Sequence, residues 1–345
     1  MHCTYKKYRL QFRNPSGTSR GVLLFKDTFF LKLQDEDRIA YGECNLFLNL
    51  SSDDKDGYEA KLLEVCKRLP VEMSALIAEL EEWPSIQFGV DMLLKDWENG
   101  GKRVIFPEAV ETNTFTIPVN GLIWMGDRKF MFEQIKNKLQ DGYKCIKLKI
   151  GAIDFSTELE LMHYIRSQFT STDVEIRVDA NGAFSPSEAL EKLNRLSAYD
   201  ISYIEQPIRT GQWHEMASLI DRSPVTIALD EELIGLNNLE AKLDMMQVVK
   251  PDLLILKPAL IGGLQGADTW KNLVEQQNGS SIVTSALESN IGLNALAQYV
   301  ALTNTDVAQG LGTGQLYTNN FPSPYSVDAR GLHYNGIQSW DLSLL

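Results

Sequence analysis

The sequence predicts an α/β fold: a (β/α)8-type barrel carrying the chemistry, preceded by a smaller α+β domain. Three observations carry this prediction. Eight short apolar runs alternate with amphipathic stretches between residues 113 and 317, a polar residue closes nearly every run, and residues 1–112 have a different texture, strands first and helices after. At 345 residues the chain has room for both parts.

In the first part, β-like segments around Tyr8 to Phe12, Val22 to Leu33 and Ala40 to Glu43 give way at about Tyr58 to helical patterning through Glu59, Leu62, Leu63, Val65 and Leu69, and again from Ser85 to Trp97. The Gly- and Pro-marked stretch GGKRVIFPEAVETNT marks the boundary. The strand candidates beyond it are FTIPVNGLI from Phe115, CIKLKI from Cys145, EIRVDA from Glu175, ISYIEQP from Ile201, TIALDE from Thr226, LLILKP from Leu253, SIVTSAL from Ser281 and DVAQGL from Asp306. After the third of these, Ser185 reads as a helix N-cap, with Pro186 at the first helical position and Glu188 closing a capping box. Ala189, Leu190, Leu193 and Leu196 form that helix's inward face. A doubly wound open sheet would carry a Gly-rich nucleotide turn after its first strand, and GLIWMGD is not one.

The formal charge of -13, from 33 basic and 46 acidic residues, argues against a nucleic-acid or anionic-membrane partner, since no basic patch offsets it. Cys3, Cys44, Cys66 and Cys145 have neither metal-type spacing nor a dense disulfide pattern. With no secretory h-region and no apolar run of membrane-spanning length, they read as reduced thiols of a cytoplasmic protein.

A barrel builds its site at the C-terminal ends of its strands. Those ends carry Lys147 and Lys149, Asp179, Glu205, Asp230, Lys257, and Thr284 with Ser285. From Lys149 to Asp179 is 30 positions, then 26 to Glu205, 25 to Asp230 and 27 to Lys257, about one βα unit each, so the charges converge. Three neighbouring carboxylates repel each other unless a hard divalent cation lies between them. An oxygen-only set without His or Cys favours Mg²⁺, with Mn²⁺ a possible substitute. The lysines then flank that metal and an anionic substrate.

The set KLK, VDAN, IEQP, ALDE and LKP, in this order and spacing, resembles the enolase superfamily, specifically its muconate-lactonizing subgroup. The resemblance covers the whole chain. It implies that residues 1–112 form a capping domain to which the C-terminal segment 318–345 returns, with 113–317 as the catalytic barrel. It implies Asp179, Glu205 and Asp230 as Mg²⁺ ligands, Lys149 as the acid/base catalyst with Lys147 beside it, and Lys257 across the substrate. Asn181 and Glu231 are expected to orient the ligands. Thr284 and Ser285, where a mandelate-racemase-like enzyme has its His base, argue against that branch. His2, His163, His214 and His333 fall outside the strand ends and read as surface or packing residues.

Within the subgroup, TSALESNIGL from Thr284 and GECNLF from Gly42 are similar to the o-succinylbenzoate synthase family. The implied reaction is Mg²⁺-dependent removal of a proton α to a carboxylate and syn loss of water from a hydroxycyclohexadiene carboxylate (SHCHC), giving 2-succinylbenzoate in menaquinone biosynthesis. Lys149 must be neutral to act as the base, and a metal and a second ammonium close by disfavour its charge. The alternatives on the same scaffold are a dipeptide or N-acyl amino acid epimerase or racemase, and a cycloisomerase. The epimerases usually hold a substrate ammonium with D-x-D at the eighth strand, where this chain has GLGTGQL. A non-catalytic descendant is expected to have lost a ligand or lysine, and none is lost here. Substrate contacts are expected from Thr284, Ser285, Gly310 and Gly312, and from loops at Ser16 to Gly21 and Cys44 to Asp53 closing over the barrel mouth.

Overall fold

The computed structural model describes residues 1–18, 21–69, 71 and 73–345. Ser19 and Arg20, within the first of the two expected covering loops, lie outside the described residues. The N-terminal cap opens with an antiparallel meander, β1 (His2–Thr18), β2 (Gly21–Asp35) and β3 (Arg38–Cys44), followed by α1 (Tyr58–Arg68), α2 (Met73–Leu76) and α3 (Pro84–Glu98). Alternation on β2 turns Phe29, Leu31 and Leu33 onto one face, where they meet Leu62 and Val65 of α1 and the i, i+4, i+7 stripe Ile86, Val90 and Leu93 of α3. Gly42 and Gly89 let helix and sheet touch through their backbones: a Cβ on Gly42 would stand 1.9 Å from the Gly89 carbonyl oxygen. The opposite side of α3, with Phe88 and Met92, joins the main core beneath.

After α4 (Pro107–Val110) come β4 (Thr114–Ile117), β5 (Gly121–Ile123), α5 (Arg128–Asp141), β6 (Cys145–Lys149), α6 (Phe155–Arg166), β7 (Glu175–Asp179), α7 (Pro186–Leu196), β8 (Ile201–Glu205), α8 (Trp213–Arg222), β9 (Thr226–Leu229), α9 (Leu239–Val249), β10 (Leu253–Leu256), α10 (Gly263–Glu275), β11 (Ser280–Val283) and α11 (Asn290–Ala301). Strands β5 to β11 form one parallel sheet in sequential order. Each strand sends alternate residues to two separate cores. Ile146, Leu148, Ile176, Val178, Ile204 and Leu254 pack among the surrounding helices, whereas Tyr203, Ala228, Leu253, Ile255 and Ile282 form a small cluster on the other face. The strand ends above that inner cluster carry the charges.

Three expectations are corrected. FTIPVNGLI is two strands, because Pro118 has no N–H and breaks the ladder. Its first half, β4, pairs with β13 (Gly331–Asn335) of a C-terminal hairpin whose other arm is β12 (Tyr325–Asp328), and only the second half, β5, joins the parallel sheet. DVAQGL is strand-like only at Gln309 and Gly310, which bridge to Val119 on one side and Thr284 on the other. Arg177, buried and paired to Glu175, fixes this short piece by donating to the Ala308 carbonyl at 2.6 Å. Among the described residues no helix follows it, so seven helices rather than eight accompany the parallel sheet. The C-terminal segment touches β1 and β2 at several points: Arg13 N–H donates to the Leu316 carbonyl, Thr318 N–H to that of Gln11 and Lys6 Nζ to that of Leu344, and Phe321 packs against Tyr8 and Phe30.

Ser185 occupies the N-cap of α7 with its hydroxyl paired to Ser187, and Glu188 hydrogen-bonds back to Ser185 while forming an i, i+4 ion pair with Lys192. Ala189, Leu193 and Leu196 are buried as expected, and Leu190 is half-buried against the same core. All four cysteines are buried free thiols. Among the described residues no helix is long and apolar enough to cross a membrane.

Candidate active site

Lys147 and Lys149 project from β6 to the face opposite Ile146 and Leu148, beside Asp179 and Glu205 on the next two strands. The Lys147 ammonium is paired to Glu205 and stands 3.4 Å from Asp179 Oδ2. Lys149 Nζ donates to Asp179 Oδ2 and to Asn181 Oδ1, both at 2.9 Å. Lys257, just past β10, is paired to Asp230. All three carboxylates are buried. Burial opposes the charge on Asp179, but the ammonium groups of Lys149, Lys147 and Lys257 outweigh it and hold the carboxyl well below its usual range. Burial likewise disfavours the ammonium of Lys147, and Glu205 and Asp179 nevertheless raise it well above an ordinary lysine; Asp230 and Glu231 do the same for Lys257.

A polar frame holds these groups in place. Asn181 donates from its backbone to Asp179 Oδ1 at 3.0 Å and from its side chain to Glu231 Oε1 at 2.9 Å. Gln206 Oε1 accepts from the Asp230 and Glu232 N–H groups, while its amide donates to Glu232 Oε2 at 2.9 Å. Trp213 Nε1 and Gly211 N–H hold the other Glu232 oxygen. Gln206 and Glu232, visible in IEQP and ALDEE, are site residues beyond those expected from the strand ends. Asn181, Gln206 and Leu287 all have left-handed backbones, with φ of 44°, 39° and 63°. For non-glycine residues that conformation is costly and persists only where the surroundings enforce it.

Behind Lys149, the loop from Gly151 is held by Glu158 on α6, whose Oε1 accepts from Gly151 N–H at 2.6 Å. Glu158 is 1% exposed, and burial pushes its carboxyl up from 4.5 to about 7, with the backbone donors of Gly151, Ile153 and Ala152 pulling the other way. A raised folded-state value means the fold binds the proton more tightly than the unfolded chain. Its contribution is therefore complete below pH 4.5 and is lost as the pH rises through about 7. Compared with Glu158→Gln by urea unfolding, the native chain should lose about 3 kcal/mol of relative stability across that window. Parallel curves for the two proteins would show that Glu158 is not the titrating group.

These groups open into a cavity of about 350 Å³, within the range of small-molecule sites. Lys147, Lys149, Lys257, Asp179, Asn181 and Glu231 line it together with Thr284, Ser285, Gly310 and Gly312, and Phe47 and Leu50 of the second covering loop reach it from the cap. Thr284 Oγ1 is buried without a hydrogen-bond partner, whereas the Ser285 hydroxyl is bonded to Thr313 and Glu288. The two glycines differ in kind: a Cβ on Gly310 would meet Thr284 Cγ2 at 2.5 Å, but on Gly312 nothing lies closer than 3.6 Å. Asn120, Trp124, Lys138 and Tyr143 also line the cavity, and none of them stands at a position that a motif or strand end marks. Of the histidines, His333 pairs with Asp328 on the C-terminal hairpin, away from these groups.

Among the described residues no three His, Cys, Asp or Glu side chains are grouped to hold an ion as they stand. Lys147 Nζ instead bridges two of the carboxylates. Glu205 Oε1 is nevertheless buried with no hydrogen-bond partner. A buried, unsatisfied hard oxygen beside two further carboxylates is a donor set that suits Mg²⁺.

A family model described as Enolase C-terminal domain-like matches residues 131–332. The chain belongs to the enolase superfamily. It is 44% identical to o-succinylbenzoate synthase of Desulfotalea psychrophila (strain LSv54 / DSM 12343), over 95% of this chain and 97% of the relative. The crystal structure of MenC from Desulfotalea psychrophila LSv54 superimposes with a TM-score of 0.85 at 40% identity, covering 97% and 99% of the two chains. O-succinylbenzoate synthase from Thermosynechococcus elongatus BP-1, a structure with Mg in its active site, shares the superfamily fold at 23% identity and a TM-score of 0.72, over 90% and 92% of the chains.

Proposed function

We propose that this chain is an o-succinylbenzoate synthase, a lyase that dehydrates SHCHC to 2-succinylbenzoate in menaquinone biosynthesis. The observation that carries this reading is the 44% identity over 95% of the chain to a relative of that activity. The seven parallel strands, linked edge to edge through Gln309 and Gly310, serve as the (β/α)8-type scaffold, and the enzyme works in the cytoplasm on a small carboxylate. Asp179, Glu205 and Asp230 would hold Mg²⁺, or Mn²⁺ in its place. When bound, the metal supplies Lewis-acid stabilisation of the negative charge that develops on the substrate carboxylate.

Lys149, steadied by Asn181, takes the α-proton. The resulting ammonium then gives its proton to the departing β-hydroxyl, which leaves as water, so one lysine serves both halves of a syn elimination. Lys257 stays charged through its partnership with Asp230 and faces the ring as it becomes aromatic. Lys147 keeps the Asp179 and Glu205 charges together. The epimerase alternative is disfavoured by the cavity wall itself. Gly310, Gly312, Thr313 and Leu316 are its lining from the eighth-strand segment, and no carboxylate stands among them to receive a substrate ammonium.

The test is a spectroscopic assay of the purified protein with SHCHC, following loss of the diene. Rapid conversion that is abolished by a chelator and restored by Mg²⁺ is expected. A folded, metal-loaded protein that leaves SHCHC untouched would sink the synthase reading.

A further inference from the structure

The cavity does not end at the lysines. At Gly121, Leu122 and Ile123, β5 has a strand partner on one side only, β6. On its other side Val119 and Asn120 meet Gln309, after which the chain turns away at residues 312–315. The end of β5 is tied instead to helix α5: the Gln134 side chain accepts from Trp124 N–H at 3.0 Å and donates to its carbonyl at 3.1 Å. Gly121 lacks the side chain that would otherwise fill the space between this strand and α5; a Cβ there would press on Lys138 and Tyr143 at 3.1 Å. Past this uncovered edge the cavity reaches Lys138 and Tyr143, which line it together with Lys147, Lys149 and Lys257.

Lys138 differs from the other three lysines of the cavity. Each of those is ion-paired to a carboxylate, whereas Lys138 has no hydrogen-bond or ion-pair partner among the described residues and stands 4.3 Å from the centre of the Tyr143 ring. The aromatic ring steadies the cation but cannot neutralise it. Burial depresses the ammonium below an ordinary lysine, with Asp141 acting the other way, so an arriving anion would strengthen its charge. A half-buried cation with no carboxylate in ion-pair contact, lining the same cavity as the strand-end lysines and Asp179, fits a ligand with two separated anionic groups.

Resting on the synthase reading, we propose that Lys138, with Tyr143 beside it, binds the distal carboxylate of the substrate's succinyl arm, which passes the uncovered edge of β5 at Gly121. The ring carboxylate goes to the metal end and the second carboxylate to Lys138. The residue is a specificity determinant, since it touches the substrate away from the reacting atoms and takes no part in proton transfer.

The experiment compares the native enzyme with Lys138→Met and Lys138→Arg, both Mg²⁺-loaded. For Lys138→Met the KM for SHCHC should rise about tenfold or more with kcat little changed, as for loss of one charge-assisted contact made equally in ground and transition states. Inhibition by 2-succinylbenzoate should weaken by the same factor. Inhibition by its side-chain carboxamide, which lacks the distal charge, should be the same for both proteins. Lys138→Arg, which keeps the cation, should restore most of the loss, and equal thermal midpoints would exclude a folding defect. A native enzyme that turns over SHCHC alongside an unchanged KM in Lys138→Met overturns this inference and leaves the synthase reading intact. A native enzyme that does not turn it over removes both.

Discussion

Lys149→Ala is expected to lower kcat by about 10⁴-fold, at the upper end of general acid–base contributions, because the same group both removes the proton and protonates the leaving hydroxyl. No other side chain can take over. Lys147 is committed to Glu205 and Asp179, and Lys257 to Asp230. Metal binding should survive. Lys149 is paired to Asp179, so its removal takes away a cation that competes for a ligand oxygen, and Mg²⁺ affinity measured by calorimetry should be equal or tighter. A single-turnover experiment separates the two effects: metal and SHCHC bind, but the diene signal stays. Turnover within tenfold of the native rate would remove Lys149 as the base.

The strand-end residues were legible because two local periodicities specify them. Alternation along a strand puts Lys147 and Lys149 on the face opposite Ile146 and Leu148, and the βα repeat length brings Asp179, Glu205, Asp230 and Lys257 to the same end of the sheet. What the sequence hid depends on remote partners. FTIPVNGLI has the composition of one strand, and only the presence of β13 shows that its first half belongs to a different sheet. DVAQGL alternates like a strand, but just two of its residues find neighbours, since the carbonyl of Ala308 is taken by Arg177. Lys138 lies on α5 and belongs to no motif. Its access to the cavity follows from a glycine 17 positions earlier (138 − 121) and from a turn at residues 312–315, neither of which is readable from α5 itself. The lysine–carboxylate pairing shows the same limit: strand periodicity brings the charges to one place, but which ammonium meets which carboxylate depends on side-chain packing across strands.

Glu43→Ala should cost about 3–5 kcal/mol of stability. Glu43 sits in GECNLF at the end of β3 and is fully buried. Its carboxylate reaches across 246 positions of sequence to the start of α11, where it accepts from Ser289 N–H at 3.1 Å, Ser289 Oγ at 2.6 Å and Gly292 N–H at 2.9 Å, and also from Thr28 Oγ1 at 3.0 Å. It thus satisfies the unpaired N–H groups of a helix terminus and places a negative charge at the positive end of that helix dipole. Gly292 is part of the arrangement, since a Cβ there would stand 2.8 Å from Glu43 Oε2. Alanine would leave those donors buried and unsatisfied, and would also deprive the buried Lys26 of a counter-charge that works against the burial lowering its ammonium. Urea unfolding should show the loss as a lower midpoint, and Glu43→Gln should fall between alanine and the native residue because it keeps one acceptor. The loop before α11 carries Thr284, Ser285 and Leu287 into the cavity, so the same variant should raise KM even where it remains folded. A midpoint and KM both unchanged would mean that the cap is held to the parallel sheet by its apolar contacts alone, with Phe88 and Met92 of α3 as the next residues to truncate.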